Sequence, residues 1–326
     1  MFFDASLSAS GKQSCSTCHD PRFAYGPPPD LTPGRRAAPS LRYLQSAPQF
    51  TEHYFDAETT GDDSVDNGPT GGLTWDGRVD RGRDQARIPL LSAEEMANEN
   101  PAAVVRRAMR AGYAPELRRL SHGNAFDTIL EALEDFEQDP REFYPYSSKY
   151  DLWLGGKASL TDMEQRGLRL FADPGKGNCA QCHPATKGVS GKPPQFTDFG
   201  MIAIGVPRNS ADSKWLDLGL CGPERTDFGD RPDYCGRFRT PSLRNAATRS
   251  VFFHNGAAHS LRDAIEFYVK RDPEKSDLPP KYRMNLETGP PFPAHAGDKP
   301  ALTDIEIDDI AEFLRTLTDA DVAGHS

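Results

Sequence analysis

Cys15-Ser16-Thr17-Cys18-His19 and Cys179-Ala180-Gln181-Cys182-His183 are two copies of one pattern, C-x-x-C-H, in a chain of 326 residues that has only six cysteines. This spacing is the signature of covalent haem attachment. Two thiols reach the two vinyl groups, and the adjacent histidine turns its imidazole onto the iron as proximal ligand. A single copy would fit chance or a redox dithiol. Two copies, with one widely spaced cysteine pair outside them, point to two haems. Zinc is the competing reading, since C-x-x-C with nearby histidines also builds tetrahedral sites, but zinc does not require a histidine directly after the second cysteine of each motif.

The rest of the sequence is consistent with a large cofactor-binding protein. The length exceeds a typical single domain, so two core-forming units are expected. With 37% hydrophobic and 26% charged residues and 28 each of Gly and Pro, the composition is that of a soluble, loop-rich globular chain. No apolar run reaches the length of a membrane span. A formal charge of -10 argues against a nucleic-acid partner and suits steering toward a positively charged protein.

The segments before the two motifs resemble each other, Phe3-Asp4-Ala5-Ser6 through Cys15 beside Phe171-Ala172-Asp173 through Cys179, a weak internal repeat. Helical patterns are expected from Ser92 to Met109, from Phe126 to Phe136, from Thr161 into the second motif, over Ser260–Tyr268 and from Thr303 to Leu317. Few stretches alternate like strands. The expectation is a mainly α fold of two cytochrome c-like haem domains with long loops and little strand, in which haem acts as the apolar core. The units span 1–150 and 151–326, with the boundary near Tyr146–Gly156. Cys221 and Cys235 flank a Gly/Pro/Asp-rich loop that an oxidising compartment would close with a disulfide, contributing roughly 3 kcal/mol. Covalent haem and this pair both point to the periplasm. The start Met1-Phe2-Phe3-Asp4 lacks a basic region, apolar stretch or cleavage site, so a removed signal peptide is expected.

Further residues carry a resemblance. Phe2-Phe3-Asp4-Ala5-Ser6-Leu7-Ser8, Trp75-Asp76-Gly77-Arg78, Glu95-Met96, Thr240-Pro241-Ser242-Leu243-Arg244-Asn245 and Phe253-His254-Asn255-Gly256 are similar, in order and over nearly the whole chain, to bacterial dihaem cytochrome c peroxidases and their relative MauG. The resemblance implies that the N-terminal haem, with His19 as proximal ligand, binds hydrogen peroxide. It also implies a six-coordinate electron-transfer haem on His183, with Trp75 between the two. Glu95 falls on the glutamate that manages protons in the distal pocket, and Gln85 and Pro89 on positions lining that pocket. A carboxylate above the iron can take the proton from the near oxygen of peroxide and return it to the leaving one. Read locally, Ser92-x-x-Glu95 is instead a capping box at a helix start, and Glu94 is the alternative by one position. Trp75 has a plain reading as a buried aromatic; Trp153 and Trp215 are assigned to packing.

Three departures from the peroxidase pattern stand out. The helix expected to carry the distal methionine of the second haem reads Ala264-Ile265-Glu266-Phe267-Tyr268-Val269, so Tyr268 takes the ligand position, as a tyrosine does in MauG; Met284 is the alternative. Anionic phenolate ligation favours ferric and higher states. The stretch Gly34-Arg35-Arg36-Ala37-Ala38-Pro39 has no distal histidine, which predicts an open peroxide site in the diferric protein, with His53 the one residue nearby that could swing in. The family's calcium ion between the domains would lose its asparagine, which aligns with Tyr43. Carbonyls near Arg249 and Val251, or the acidic loop Asp62-Asp63-Ser64-Val65-Asp66, leave a calcium site open. Three functions follow: a peroxidase fed by a small periplasmic cytochrome or cupredoxin, a MauG-type oxidase acting on an aromatic residue of a partner protein, and a non-catalytic dihaem electron carrier.

Overall fold

Helices form where a local cap meets an amphipathic stripe. In the computed structural model, which describes residues 1–31, 34–121, 123–209 and 215–325, Thr161 and Thr303 each open a helix through a reciprocal capping box, over Asp162–Ala172 with Glu164 and over Asp304–Arg315 with Glu306. Ser260 caps Leu261–Lys270 by accepting from the Asp263 amide. Strand is confined, among the described residues, to Met201–Ile202 paired antiparallel with Phe238–Arg239, Met201 facing Arg239. The fold is mainly α, as expected, and no described helix is long and apolar enough to cross a membrane.

Two large apolar cores result. One gathers Phe2, Leu7 and Tyr25 with Ala86, Leu90, Val104 and the buried face of Ala125–Glu137. The other packs Asp162–Ala172, Leu261–Lys270 and Asp304–Arg315 around Phe171, Phe196 and Phe313. The expected boundary stretch is itself partly helical, Lys149–Leu154 opening on a capping box from Ser148. Buried polar groups tie the halves together. The carboxylate of Asp319, fully buried, accepts from the Tyr43 hydroxyl at 2.7 Å, Asn245 Nδ2 at 2.7 Å and Arg42 Nη1 at 3.1 Å. Arg244 forks onto Asp151 with two bonds of 2.9 Å, a bidentate geometry that fixes orientation as well as charge.

Two expectations fail locally. No helix starts at Ser92. A helix runs over Gly82–Leu91 and Ser92 is its C-cap; turns follow, and the next helix is Pro101–Ala108, capped by Asn100. Serine favours turns as well as helix starts, so the S-x-x-E spacing misled. In the repeat, Phe171 is fully buried whereas Phe3 is 58% exposed, and Phe2, at 3%, fills the core instead. Cys221 and Cys235 form the expected disulfide.

Candidate functional site

The two motifs fold alike. Cys15–Cys18 forms one helical turn, and the His19 amide donates to the Cys15 carbonyl at 2.9 Å. The His183 amide donates to the Cys179 carbonyl at 2.8 Å. Each histidine then places Nδ1 on a backbone carbonyl: His19 on Tyr25 at 3.2 Å, His183 on Phe196 at 2.8 Å. Both carbonyls belong to buried aromatic residues in the left-handed conformation, with φ of 55° and 53°. Burial pulls each imidazole down to about 4. The rings are therefore neutral near pH 7, and Nδ1–H donation to the carbonyl leaves the Nε2 lone pair free for a metal.

Around His183 lies a mainly apolar cavity, open to solvent at its mouth, of about 1320 Å³ with that open space included. Cys179, Cys182, His183, Tyr268 and Trp75 all line it. Burial raises the Cys15, Cys179 and Cys182 thiols to about 12. These are neutral sulfurs in apolar surroundings rather than a thiolate cluster. Among the described residues no three His, Cys, Asp or Glu side chains converge as a metal site. The donor set at the second motif, one neutral histidine beside two thiols on an apolar cavity, suits a haem.

Tyr268 sits on the cavity side of Leu261–Lys270, its ring 5.2 Å from that of Phe292. Burial raises its phenol well above the ordinary value, the Cys179 and Cys182 sulfurs adding to this and Arg271 opposing it. A bound cation would reverse that balance. Met284, the alternative ligand, is 88% exposed.

Trp75 reaches the same cavity from the N-terminal half. Its Nε1–H donates to the Ala37 carbonyl at 2.8 Å, and its own carbonyl accepts from the Arg239 amide at 2.8 Å. The turn that presents it is tight: Gly77, at φ 63°, would with a Cβ come within 2.6 Å of the Gly71 carbonyl. Asp76 anchors the turn through Thr74 at 2.6 Å, Arg36 at 2.6 Å and Arg78 at 2.8 Å. Its burial works against ionisation, but the two guanidiniums outweigh it and hold the carboxyl below the ordinary range. Trp153 packs on Tyr150 at 5.3 Å and Trp215 under the Arg35 guanidinium at 4.2 Å.

Glu95 lies in the turn after Gly82–Leu91, near enough to Cys18 for its charge to add to the burial that raises that thiol. Partial desolvation by the surrounding chain raises the Glu95 carboxyl above its ordinary 4.5, with Arg78 opposing and Glu94 and Glu224 adding. Its side chain is accessible yet makes no ion pair in the described structure, whereas Glu94 points outward to Arg35 at 3.1 Å. Gln85 and Pro89, four apart on Gly82–Leu91, share one helix face beside the face that buries Ala86 and Leu90. Pro89 has no N–H to give the Gln85 carbonyl. His53 is on the surface, its Nδ1 held by Asp66 at 2.6 Å.

The comparisons with known proteins agree with this arrangement. The family described as di-haem cytochrome c peroxidase matches residues 1–159. Methylamine utilization protein MauG of Paracoccus denitrificans is 33% identical over 98% of this chain and 87% of its own length. This chain is a MauG-like member of the dihaem cytochrome c peroxidase family. Cytochrome c551 peroxidase of Nitrosomonas europaea is 28% identical over 82% of the chain and 70% of its own length. The dihaem peroxidase BthA of Burkholderia thailandensis superposes with a TM-score of 0.86 at 35% identity, covering 99% of this chain and 85% of BthA. The protein is accordingly an oxidoreductase with haem cofactors, a dihaem peroxidase of the MauG type.

Proposed function

We propose that the chain activates hydrogen peroxide at the haem of its N-terminal unit, residues 1–150, and shares the oxidising equivalents with a second haem in residues 151–326. Cys15, Cys18 and His19 hold the first haem and Cys179, Cys182, His183 and Tyr268 the second, both attached covalently. When bound, the haems supply the redox chemistry that takes up the two oxidising equivalents of peroxide. Glu95 takes the proton from the near peroxide oxygen and hands it to the far one, which leaves as water. Gln85 and Pro89 shape the space beside it. Trp75, which lines the cavity around His183 from the N-terminal half, would divide the electron path between two bound haems into shorter steps.

The observation that carries this reading is that Tyr268 and His183 line one cavity while Met284 is 88% exposed. A phenolate at the second haem favours high oxidation states, so that haem stores oxidising power rather than only relaying electrons. The same feature supports a second reading, a MauG-type oxidase that spends the stored equivalents on an aromatic residue of a partner protein; identity to MauG favours it. The first reading needs a small periplasmic cytochrome or cupredoxin as donor, and a periplasmic location suits both, given the disulfide and the two haem motifs. The test is stopped-flow mixing of diferric holoprotein with one equivalent of peroxide. A rapid haem spectral change without prior reduction is expected; a reaction that begins only after half-reduction would overturn the open-site reading. Donor and partner readings then separate by whether a reduced small cytochrome or an added protein substrate discharges the oxidised form.

A further inference from the structure

The segment 37–39 runs between the two candidate haem sites, and each of its residues has a distinct neighbour. The Ala37 carbonyl accepts the indole of Trp75 at 2.8 Å. The Ala38 carbonyl accepts Nη2 of Arg249 at 3.1 Å. The backbone of Pro39 lies against the His19 imidazole. Arg249 comes from the other half of the chain, 211 residues away. Its Nε–H donates to the Val251 carbonyl at 3.2 Å, and its Nη1 faces Gly26, where an added Cβ would come to 3.6 Å. One guanidinium thus joins carbonyls of both halves beside the turn that presents His19.

This half-buried cation makes no ion pair with a carboxylate among the described residues, and desolvation pulls it down to about 10. An uncompensated buried charge is costly and persists only where carbonyl dipoles hold it and the surroundings gain from it. Its field reaches His19, where it opposes protonation of the ring.

The same place is poorly suited to calcium, the ion that the family resemblance implies between the domains. Calcium takes six to eight oxygens at roughly 2.3–2.6 Å. Here the Val251 and Ala38 carbonyls are engaged by Arg249. Tyr43 turns its hydroxyl to Asp319 at 2.7 and 2.9 Å and offers no side-chain amide. In the acidic loop, Asp62 accepts from the Ser64 amide, and Asp66 is taken by His53 and the amides of Tyr54 and Gly68. No three acidic, histidine or cysteine side chains converge among the described residues.

We propose that Arg249 supplies, as a built-in guanidinium, the positive charge and the tie between halves that a divalent cation would otherwise give, so that the enzyme keeps Trp75 and His19 in register without calcium. Arg249 is a positioning residue; it acts through the segment 37–39. The experiment uses the purified dihaem holoprotein. Calcium is measured by mass spectrometry after gel filtration, and the electron paramagnetic resonance spectrum and peroxide rate are recorded before and after prolonged EGTA treatment. The expected result is calcium well below one ion per chain, with both haem signals and the rate unchanged by the chelator. The variants Arg249→Ser and Arg249→Lys are compared in parallel. Arg249→Ser should shift the first-haem signal, and Arg249→Lys, which keeps the charge, should stay nearer the wild type. One calcium per chain whose removal alters the haem signals would overturn the proposal, as would an Arg249→Ser spectrum identical to wild type or a lysine variant as displaced as the serine one. If Arg249→Ser does not yield folded holoprotein, the wild-type calcium content and chelator response decide alone.

Discussion

Replacing Glu95 by glutamine separates the chemical role of this carboxylate from a structural one. The structure removes the structural alternative at the outset: Ser92 closes the helix Gly82–Leu91 and opens none, so Glu95 caps nothing. The carboxylate holds no backbone donor and no cation in the described structure, and glutamine matches its size. The stability change should therefore stay within about 0.5 kcal/mol, the usual range for accessible positions. The rate effect is of another order. Losing a positioned proton acceptor costs roughly 10²–10⁴-fold, which is about 2.7–5.4 kcal/mol of barrier. The pH dependence gives a second signature. A base must be ionised to take the first proton, and partial desolvation raises the Glu95 carboxyl above 4.5. The peroxide rate of wild-type protein should rise with pH along a limb lying above that value, and Glu95→Gln should flatten the limb as well as lower the rate. The assay is stopped-flow absorbance of the haems across pH, paired with thermal melting. A variant that melts several degrees lower yet reacts at the native rate would refute the argument.

Other substitutions address the remaining residues. His19→Ala should abolish the reaction with peroxide while leaving the second haem's spectrum largely intact, because His183 has its own carbonyl anchor at 2.8 Å; native turnover in the variant would mean the two sites have been assigned in reverse. Tyr268→Met should raise the reduction potential of the second haem, measured by spectroelectrochemistry, and an unmoved potential would place the ligand elsewhere. Trp75→Phe keeps an aromatic in the turn but loses the bond to Ala37, so the second haem should respond to peroxide more slowly than the first; simultaneous responses would remove Trp75 from the path. Cys221→Ser with Cys235→Ser should cost about 3 kcal/mol by freeing the loop in the unfolded chain, read from denaturant unfolding, with no change in haem spectra.

What could be read from the sequence follows the range of the interactions. The two attachment motifs and the helices opened by Thr161, Ser260 and Thr303 are legible because their signals lie within a few residues. The helix Gly82–Leu91 was not, since Arg81 gives it no side-chain cap and Pro89 lies inside it. Its stability is tertiary: Ala86 and Leu90 share a core with Ile129 and Leu133, and Arg81 pairs with Glu134 at 2.6 Å. The haem-anchoring carbonyls were invisible for a different reason. Tyr25 follows His19 by six residues and Phe196 follows His183 by thirteen, so no fixed spacing marks them, and nothing in either side chain announces a left-handed backbone.

That unequal spacing shows where the internal repeat resides. The strings before the motifs match only loosely, and the phenylalanines they align differ in burial. What recurs is the arrangement: a cysteine carbonyl taking the histidine amide, a neutral imidazole, and Nδ1 on the carbonyl of a buried aromatic with positive φ. Each feature answers to the iron ligand's requirements, a fixed tautomer and an unprotonated Nε2, and neither depends on which residues fill the connecting loop. The two units therefore share the histidine anchor and differ in the residues that surround it. Beside the first motif stands Glu95, close enough to act on the Cys18 thiol; beside the second stands Tyr268, on the helix Leu261–Lys270. On the proposed reading, this divergence around a common anchor would let one chain receive peroxide at one site and hold its oxidising power at the other.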